Sequence, residues 1–185
     1  MKVSGERSFD APRQVVWDVL NDPAQMAGLM PGVESFEIQD DTHWSAKVKV
    51  PLGLGALPLT FSFHKAEERP IEYARLNAKG KGVGAMISLD TQFDLAEAAG
   101  GGTTMAWAAD VHIAGPVGSM GQRVLQPVVN QQVGNVLDAL DKQVMQAAAG
   151  GAAVAESPGS GAEKGIHPAS PEAYSSEPEG PTHST

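Results

Sequence analysis

The chain contains no cysteine, so neither disulfides nor thiolate chemistry are available to it. It also lacks the uninterrupted run of about 18 apolar residues that a membrane-spanning helix requires. Its first ten residues, MKVSGERSFD, include no apolar signal region. These absences predict a soluble, cytoplasmic protein, and the 42% apolar content suffices for the core of one domain.

Basic residues are scarce as well. The 13 Lys and Arg are outnumbered by 22 Asp and Glu, which gives a formal net charge of −9. Because no Lys/Arg cluster is available to neutralise phosphates, this composition argues against nucleic acid as a partner. The same net charge argues against broad electrostatic adhesion to anionic lipid.

The sequence carries no recognisable catalytic motif. None of its histidines has a His-x-x-x-His or carboxylate–His spacing of the kind that binds zinc; they are His43, His64, His112, His167 and His183. No serine lies in a Gly-x-Ser-x-Gly elbow. The glycine-rich residues 80–84 connect two predicted strands and open no helix, so a hairpin is favoured over a phosphate cradle.

The chain begins with a strand and two short helices. Residues 1–10 alternate apolar and polar side chains, which predicts a strand with one buried face. Asp10 is the expected N-cap of a first helix, with Pro12 in its first turn. Asp22 is the expected cap of a second helix, residues 24–30, which Pro31 and Gly32 end.

Six strand candidates follow, connected by short turns without intervening helices. They are residues 33–39, 43–52, 57–65, 71–78, 85–95 and 103–113. Such short connections predict antiparallel neighbours in meander order. Most of these strands have one aromatic and aliphatic face and one polar face. The strand at residues 71–78 stays ambiguous, because Tyr73 and Leu76 have opposite parity.

A long helix is predicted for residues 118–146, about 29 residues or roughly 43 Å. Its apolar residues form two clusters on different sides, one before and one after Pro127, where we expect a bend. The first cluster comprises Val117, Met120, Val124, Leu125 and Val128, and the second comprises Val129, Val133, Val136, Leu137, Leu140 and Val144. The small residues Gly118, Gly121 and Gly134 leave volume between helix and sheet. We expect the first half to cover a ligand cavity, with a filled core as the alternative, and the second half to pin the helix to the domain.

The last part of the chain differs in composition. Residues 150–185 are rich in Gly, Pro, Ser and Glu and cannot bury enough apolar surface to offset their ordering entropy. We therefore expect a folded domain over residues 1–149 and a disordered tail, or tether, over residues 150–185.

The folded part resembles the CoxG-like family of carbon monoxide dehydrogenase subunits, which belongs to the START-like, or polyketide cyclase/Bet v 1-like, superfamily. The similarity lies in the order and spacing of Phe9, Ala11-Pro12, Val16-Trp17, Leu20-Asn21-Asp22-Pro23, Met30-Pro31-Gly32-Val33-Glu34, Gly80-Lys81-Gly82, Gly102-Thr103-Thr104 and Gly118…Gly121…Pro127-Val128. The chain departs from the family pattern at Met30, where a cysteine is frequent, so no thiol can act there.

This resemblance implies an α+β helix-grip fold, in which a seven-stranded curved antiparallel sheet surrounds a long C-terminal helix, with two short helices after the first strand. It also implies a non-catalytic partner of a carbon monoxide dehydrogenase, peripheral to the inner face of the cell membrane. Carbon monoxide oxidation releases electrons whose lipid-soluble acceptor is a quinone, so we expect a bound respiratory quinone, menaquinone in particular. One alternative is a ligand-free recruitment or assembly factor, and another is a cyclase-type enzyme with Tyr73 and Arg75 as its polar candidates.

We expect the cavity to be lined from four parts of the chain. Its predicted residues are Met26, Leu29 and Met30 at an entrance, Val48, Val50, Leu59, Phe61 and Phe63 on two strands, Tyr73, Leu89, Trp107 and Val111 on three others, and Val117, Met120, Val124 and Val128 on the long helix. Residues 52–57, apolar and glycine-rich, are the predicted hairpin tip opposite that entrance, where the adaptable methionines suit a gate. No covalent cofactor and no metal are expected.

Overall fold

Seven antiparallel strands form one sheet in the computed structural model, which describes residues 1–52 and 55–155. The strands are β1 (Lys2–Phe9), β2 (Val33–Ile38), β3 (His43–Leu52), β4 (Gly55–Arg69), β5 (Tyr73–Gly82), β6 (Ala85–Glu97) and β7 (Thr103–Ala114). Their order in the sheet is β1-β7-β6-β5-β4-β3-β2, so β2 to β7 form a meander and β1 pairs with β7. The predicted meander is confirmed.

The β5–β6 hairpin is tighter than predicted. Gly82 pairs with Ala85, so β5 continues through residues expected to form a loop, and Val83 and Gly84 alone make the turn. Gly80 belongs to the strand, where it pairs with Phe61 of β4 and Ile87 of β6, and the Phe61 ring lies against it. A Cβ built on Gly80 would be 2.6 Å from Phe61 Cε1. A glycine in a strand thus marks a close approach rather than a loop.

Two short helices, α1 (Arg13–Asn21) and α2 (Pro23–Leu29), follow β1. Asp10 does not cap α1, contrary to expectation: the N-cap is Pro12, whose carbonyl accepts from the Val15 and Val16 amides. Asp22 does cap α2, accepting a 2.8 Å hydrogen bond from the Ala24 amide.

The long helix α3 spans Gln122–Ala155 and is displaced along the chain from its predicted position. Gly118–Met120 form a short 3-10 turn, and Gly121, at φ +81°, separates that turn from α3. Because such a φ is accessible mainly to glycine, the break is encoded at this position. Val117 and Met120 therefore precede the helix instead of lying on it.

At its other end α3 runs further than expected. The helix continues through Pro127 and includes residues 150–155, which were predicted to belong to the tail. The remainder of that predicted tail, residues 156–185, lies outside the described part of the chain.

The main core lies where α1, α2 and the C-terminal half of α3 meet one end of the sheet. Trp17 of α1 contacts Phe93 of β6 edge to face, with ring centroids 6.2 Å apart. Leu140 and Val144 of α3 are fully buried in the same cluster, and Val136 and Leu137 pack against it. Burying a side chain such as Leu140 contributes about 1.5–3 kcal/mol. The second half of the helix therefore pins it to the domain, as predicted, and the whole is a helix-grip fold.

Candidate ligand-binding site

The two halves of α3 meet the sheet differently. Arg7 on β1 points from the inner face of the sheet toward the C-terminal half, and its Nε donates to both carboxylate oxygens of Asp141, at 3.2 and 3.0 Å. Its Nη2 donates to Asp138 Oδ1 at 3.2 Å. The hydrogen bonds to Asp141 raise the pKa of the Arg7 guanidinium. This ionic clamp ties the C-terminal half of α3 to the first strand.

The N-terminal half of α3 is loosely packed. Within residues 122–134, Leu125 is buried, whereas Val128, Val129 and Val133 are half-buried. Gly134 lies on the helix face of Asp138 and Asp141, four and seven residues further on, which turns it toward β1. A Cβ built on Gly134 nevertheless meets no atom within 4 Å. Because the Asp138 side chain on that face is 68% exposed, the gap at Gly134 adjoins solvent, and it is the half-buried valines that indicate an incompletely filled space between this half of the helix and the sheet.

The inner face of the sheet opposite that space is apolar and incompletely buried. Strand register places Val48 opposite Leu59, and Leu89 opposite both Ala78 and Val111, on this face. The predicted lining residues that share it are Val48, Val50, Leu59, Phe61, Phe63, Leu89, Trp107 and Val111. Val48, Leu59 and Val111 are buried; the other five are half-buried although they face inward. The sheet is therefore incompletely covered above those five.

Three aromatic rings form a continuous row on β3 and β4. Trp44 stacks on Phe63 with ring centroids 5.7 Å apart and planes 10° apart. Phe63 in turn stacks on Phe61 at 5.8 Å. Trp44 shares this face with Ala46 and Val48 of β3 but was not predicted as a site residue. Its signal was the cross-strand pairing with Phe63, which requires the register to be known.

Two indole N–H groups on the inner face have no partner among the described residues. They are Trp44 Nε1 and Trp107 Nε1, both buried. The Trp107 ring lies flat against Gly5 of β1, within 3.1 Å of where a Cβ would be. An unsatisfied buried donor costs about 1–3 kcal/mol, so such groups usually acquire an acceptor. Trp44 belongs to the main core and Trp107 packs against it, so both donors lie at the core end of the inner face.

Tyr73 does not line this space, contrary to prediction. It pairs with Asp94, and its hydroxyl donates to Gln92 Oε1 at 3.4 Å on the outer face of the sheet. The ambiguous parity of β5 is resolved in favour of Ala74, Leu76 and Ala78, which are buried on the inner face. Arg75 also faces outward and pairs with Asp90. The two polar candidates for acid–base catalysis therefore lie on the opposite side of the sheet from the cavity.

The predicted entrance is only partly assembled as expected. Leu29 is buried in the main core and Met26 packs against it, so neither forms a gate. Met30 is half-buried beside the residue pair Gly32–Lys49, where the Lys49 amide donates to the Gly32 carbonyl at 2.8 Å. The tip residues 53 and 54 lie outside the described part of the chain.

The remaining predicted residues surround the start of α3. Val117 is half-buried and donates its amide to the Gly84 carbonyl at 2.9 Å, next to the β5–β6 turn. Met120 and Val124 are exposed. These residues form the rim of the open space rather than its wall.

A separate groove of about 500 Å³ lies on the outer face of the sheet. It carries both signs of charge, from Arg13, Arg69, Glu72, Asp94 and Glu97. Arg13 and Glu97 approach to 3.8 Å across it. Such a polar surface groove does not suit an apolar ligand, and no pattern in the sequence indicated it.

Two negative findings apply to residues 1–52 and 55–155. In this part of the chain no three His, Asp or Glu side chains come together as a metal-binding group. Nor does any of its helices combine the length and apolarity needed to cross a membrane.

Comparison with known proteins agrees with this architecture. A conserved protein from Geobacillus kaustophilus has 17% sequence identity and a TM-score of 0.73, with 79% of this chain and 96% of that chain covered. The Zhui aromatase/cyclase from a Streptomyces species has 17% identity and a TM-score of 0.60, with 79% and 94% covered. A START superfamily protein from Mycobacterium smegmatis has 14% identity and a TM-score of 0.58, with 78% and 97% covered. These likenesses show a shared fold.

No curated protein matches the sequence. The family model for CoxG, a subunit of carbon monoxide dehydrogenase, however, matches residues 5–145, which include nearly the whole sheet and most of α3. The chain therefore belongs to the CoxG family of carbon monoxide dehydrogenase subunits.

Proposed function

We propose that this protein carries a respiratory quinone, menaquinone in particular, between a membrane and a carbon monoxide dehydrogenase, and that it catalyses no reaction itself. The observation that carries the proposal is the incompletely filled interior beneath the N-terminal half of α3. There, inward-facing apolar side chains such as Phe61 and Leu89 remain half-buried. An apolar ligand would complete their burial.

The physical need for a carrier follows from the quinone tail. Moving an isoprenoid chain from a bilayer into water costs about 0.8 kcal/mol for each methylene-sized unit. A soluble redox enzyme therefore meets its acceptor only if another apolar environment shields that tail. The inner face of β3, β4, β6 and β7, made of valine, leucine and aromatic side chains, offers such an environment.

The head group has matching chemistry. A quinone ring is flat and carries two carbonyl oxygens that accept hydrogen bonds. Phe61, at the end of the stacked row Trp44–Phe63–Phe61, offers a half-buried aromatic ring, and the half-buried Trp107 carries an indole N–H without a partner among the described residues. Apolar ligand sites typically combine an apolar lining with a few such polar groups.

The proposed partner and location rest on the family. Its name designates a component of carbon monoxide dehydrogenase. A protein that delivers a membrane quinone to that enzyme has to visit the inner face of the cell membrane, and we propose peripheral association there.

A transfer assay tests this function. Full-length protein is incubated with vesicles that contain menaquinone, the vesicles are removed by centrifugation, and the quinone in the supernatant is quantified by its absorbance after extraction. We expect close to one quinone for each protein molecule. Quinone that stays with the vesicles would refute the carrier function and leave the ligand-free recruitment factor as the better account.

A further inference from the structure

Four large apolar side chains protrude from one end of the molecule. Val83 is 85% exposed, Met86 61%, Met120 47% and Val124 46%. Exposed apolar side chains are ordinary when scattered. These four are not scattered, because the elements that carry them adjoin one another.

Backbone contacts fix this proximity. Val83 and Gly84 form the β5–β6 turn, and the Gly84 carbonyl accepts from the Val117 amide at 2.9 Å. The Met120 amide donates to the Val117 carbonyl at 3.1 Å, and the Val124 amide donates to the Gly121 carbonyl at 3.2 Å. The hairpin turn, the 3-10 turn and the first turn of α3 thus form one continuous rim.

Charge is segregated toward the same end. On the outer face, strand register aligns Lys47, Thr60, Lys81 and Met86 in a row across β3 to β6, and Lys79 lies in the next row, opposite Ser62 and Ser88. Across β4 to β7, acidic side chains first occur one row further from the turn, at Asp90, which pairs with Asp110.

The start of α3 adds positive charge to the same end of the molecule. Residues 111–137 contain no Asp or Glu, and Arg123 lies in the first turn of the helix, where the helix dipole is also positive. Within the described part of the chain, Lys47, Lys79 and Lys81 form no salt bridge. We call the surface formed by Lys47, Lys79, Lys81, Val83, Met86, Met120 and Arg123 the basic end.

We infer that the basic end docks on the surface of an anionic lipid bilayer. Short turns with protruding apolar side chains among unpaired cations combine the two interactions that hold a peripheral protein at a lipid interface. The net charge of −9 argued against adhesion to anionic lipid, but a net charge does not show where the individual charged side chains lie. Glu34 is an acidic residue near this end and is paired with Lys49, whereas Asp90 and Asp110 lie beyond the lysine rows.

This inference rests on the proposed function for its purpose. In the docked orientation the open space beneath the N-terminal half of α3 faces the lipid, so a quinone could enter without crossing water. The surface itself is testable without any quinone, and a failure of one proposal is therefore distinguishable from a failure of the other.

The test is sedimentation of the full-length protein with quinone-free vesicles of phosphatidylglycerol and phosphatidylcholine, compared with phosphatidylcholine alone. We expect binding to the anionic vesicles that weakens in 0.5 M salt, at a Debye length of about 4 Å. Val83→Asp removes a protruding apolar group from an exposed turn, and Lys81→Glu reverses one cation. Each should weaken binding about fivefold or more.

Two control variants introduce the same kinds of side-chain change at exposed positions outside the basic end. Ile38→Asp alters an exposed apolar residue on β2, and Lys142→Glu reverses an exposed cation in the second half of α3. Neither should change vesicle binding. Absence of binding to anionic vesicles, or equal losses in the controls, would overturn the inference. A dimer that dissociates with Val83→Asp, seen by analytical ultracentrifugation without vesicles, would assign the surface to a second copy and overturn it as well.

Discussion

Arg7 and Asp141, 134 positions apart in the sequence, form a forked ion pair between the first strand and the last helix. Arg7 is the one charged residue in β1 whose side chain faces the interior, because it lies on the same face as Val3, Gly5 and Phe9. Val136, Leu137 and Leu140 pack in or against the core on the same stretch of α3, so the pair lies beside the packed core. It therefore fixes the C-terminal half of α3 to the first strand.

Removing this clamp should weaken the fold. Because a charge-assisted pair is stronger than a neutral hydrogen bond but these side chains are partly exposed, we expect Arg7→Ala to lower the free energy of unfolding by about 1 kcal/mol. Arg7→Lys should recover part of this loss, since it keeps the charge without the fork. Urea denaturation measures both. Arg75→Ala, which breaks the more exposed pair with Asp90, is the control and should have a smaller effect; equal losses would contradict a special role for Arg7.

Gly134 is a position where a side chain should stabilise the helix. Glycine inside a helix is less stable than alanine by about 0.5–1 kcal/mol, and a Cβ at this position meets nothing. We therefore expect Gly134→Ala to raise the free energy of unfolding by that amount. Gly80→Ala should act in the opposite direction, because its Cβ would collide with the Phe61 ring. A destabilising Gly134→Ala would contradict the absence of neighbouring atoms at this position.

A bulkier change beneath the helix should block the ligand. Val128 is half-buried in the N-terminal half of α3, so Val128→Trp would occupy part of the proposed cavity. We expect menaquinone uptake from vesicles to fall about tenfold, equivalent to about 1.4 kcal/mol. Met145→Trp places the same side chain on an exposed position of the same helix and should leave uptake unchanged. Undiminished uptake by a folded Val128→Trp protein would place the ligand elsewhere.

The outer face gives a pH-dependent prediction. The hydrogen bond from Arg75 holds the pKa of Asp90 below its usual value. A carboxylate with a depressed folded-state pKa stabilises the fold above its unfolded pKa, and this contribution is lost as the pH falls through the folded value. Wild-type protein should therefore lose stability below about pH 4, and Asp90→Asn should lose less over the same interval. Chemical denaturation at pH 7 and pH 3 gives both differences. Parallel losses would show that the pair contributes nothing measurable.

The strands could be predicted from the sequence because period-two alternation is strong in them. His43–Leu52 begins and ends as predicted, and the meander follows from short connections. Two of the errors in element bounds arose at glycines, whose two uses look alike in a sequence. Gly80 accommodates a neighbouring ring inside a strand, whereas Gly121 adopts positive φ and separates the 3-10 turn from α3.

The site was harder to predict because its residues are defined by register. Most inward-facing strand residues could be predicted from alternation. Tyr73 was assigned to the wrong face, because both faces of β5 bury side chains. Leu29 was predicted at the entrance because it is an apolar residue of the second short helix, yet tertiary packing places it in the core. The clamp between Arg7 and Asp141 left no local signal, because its partners come from opposite ends of the domain.

The most direct test of the carrier function is to identify the small molecules that co-purify with the protein. Full-length protein purified from the cells that naturally produce it is extracted with organic solvent, and the extract is analysed by mass spectrometry. We expect a respiratory quinone, menaquinone in particular, at close to one molecule for each chain, and much less with Val128→Trp. An extract that contains neither quinone nor any other lipid would contradict the carrier function.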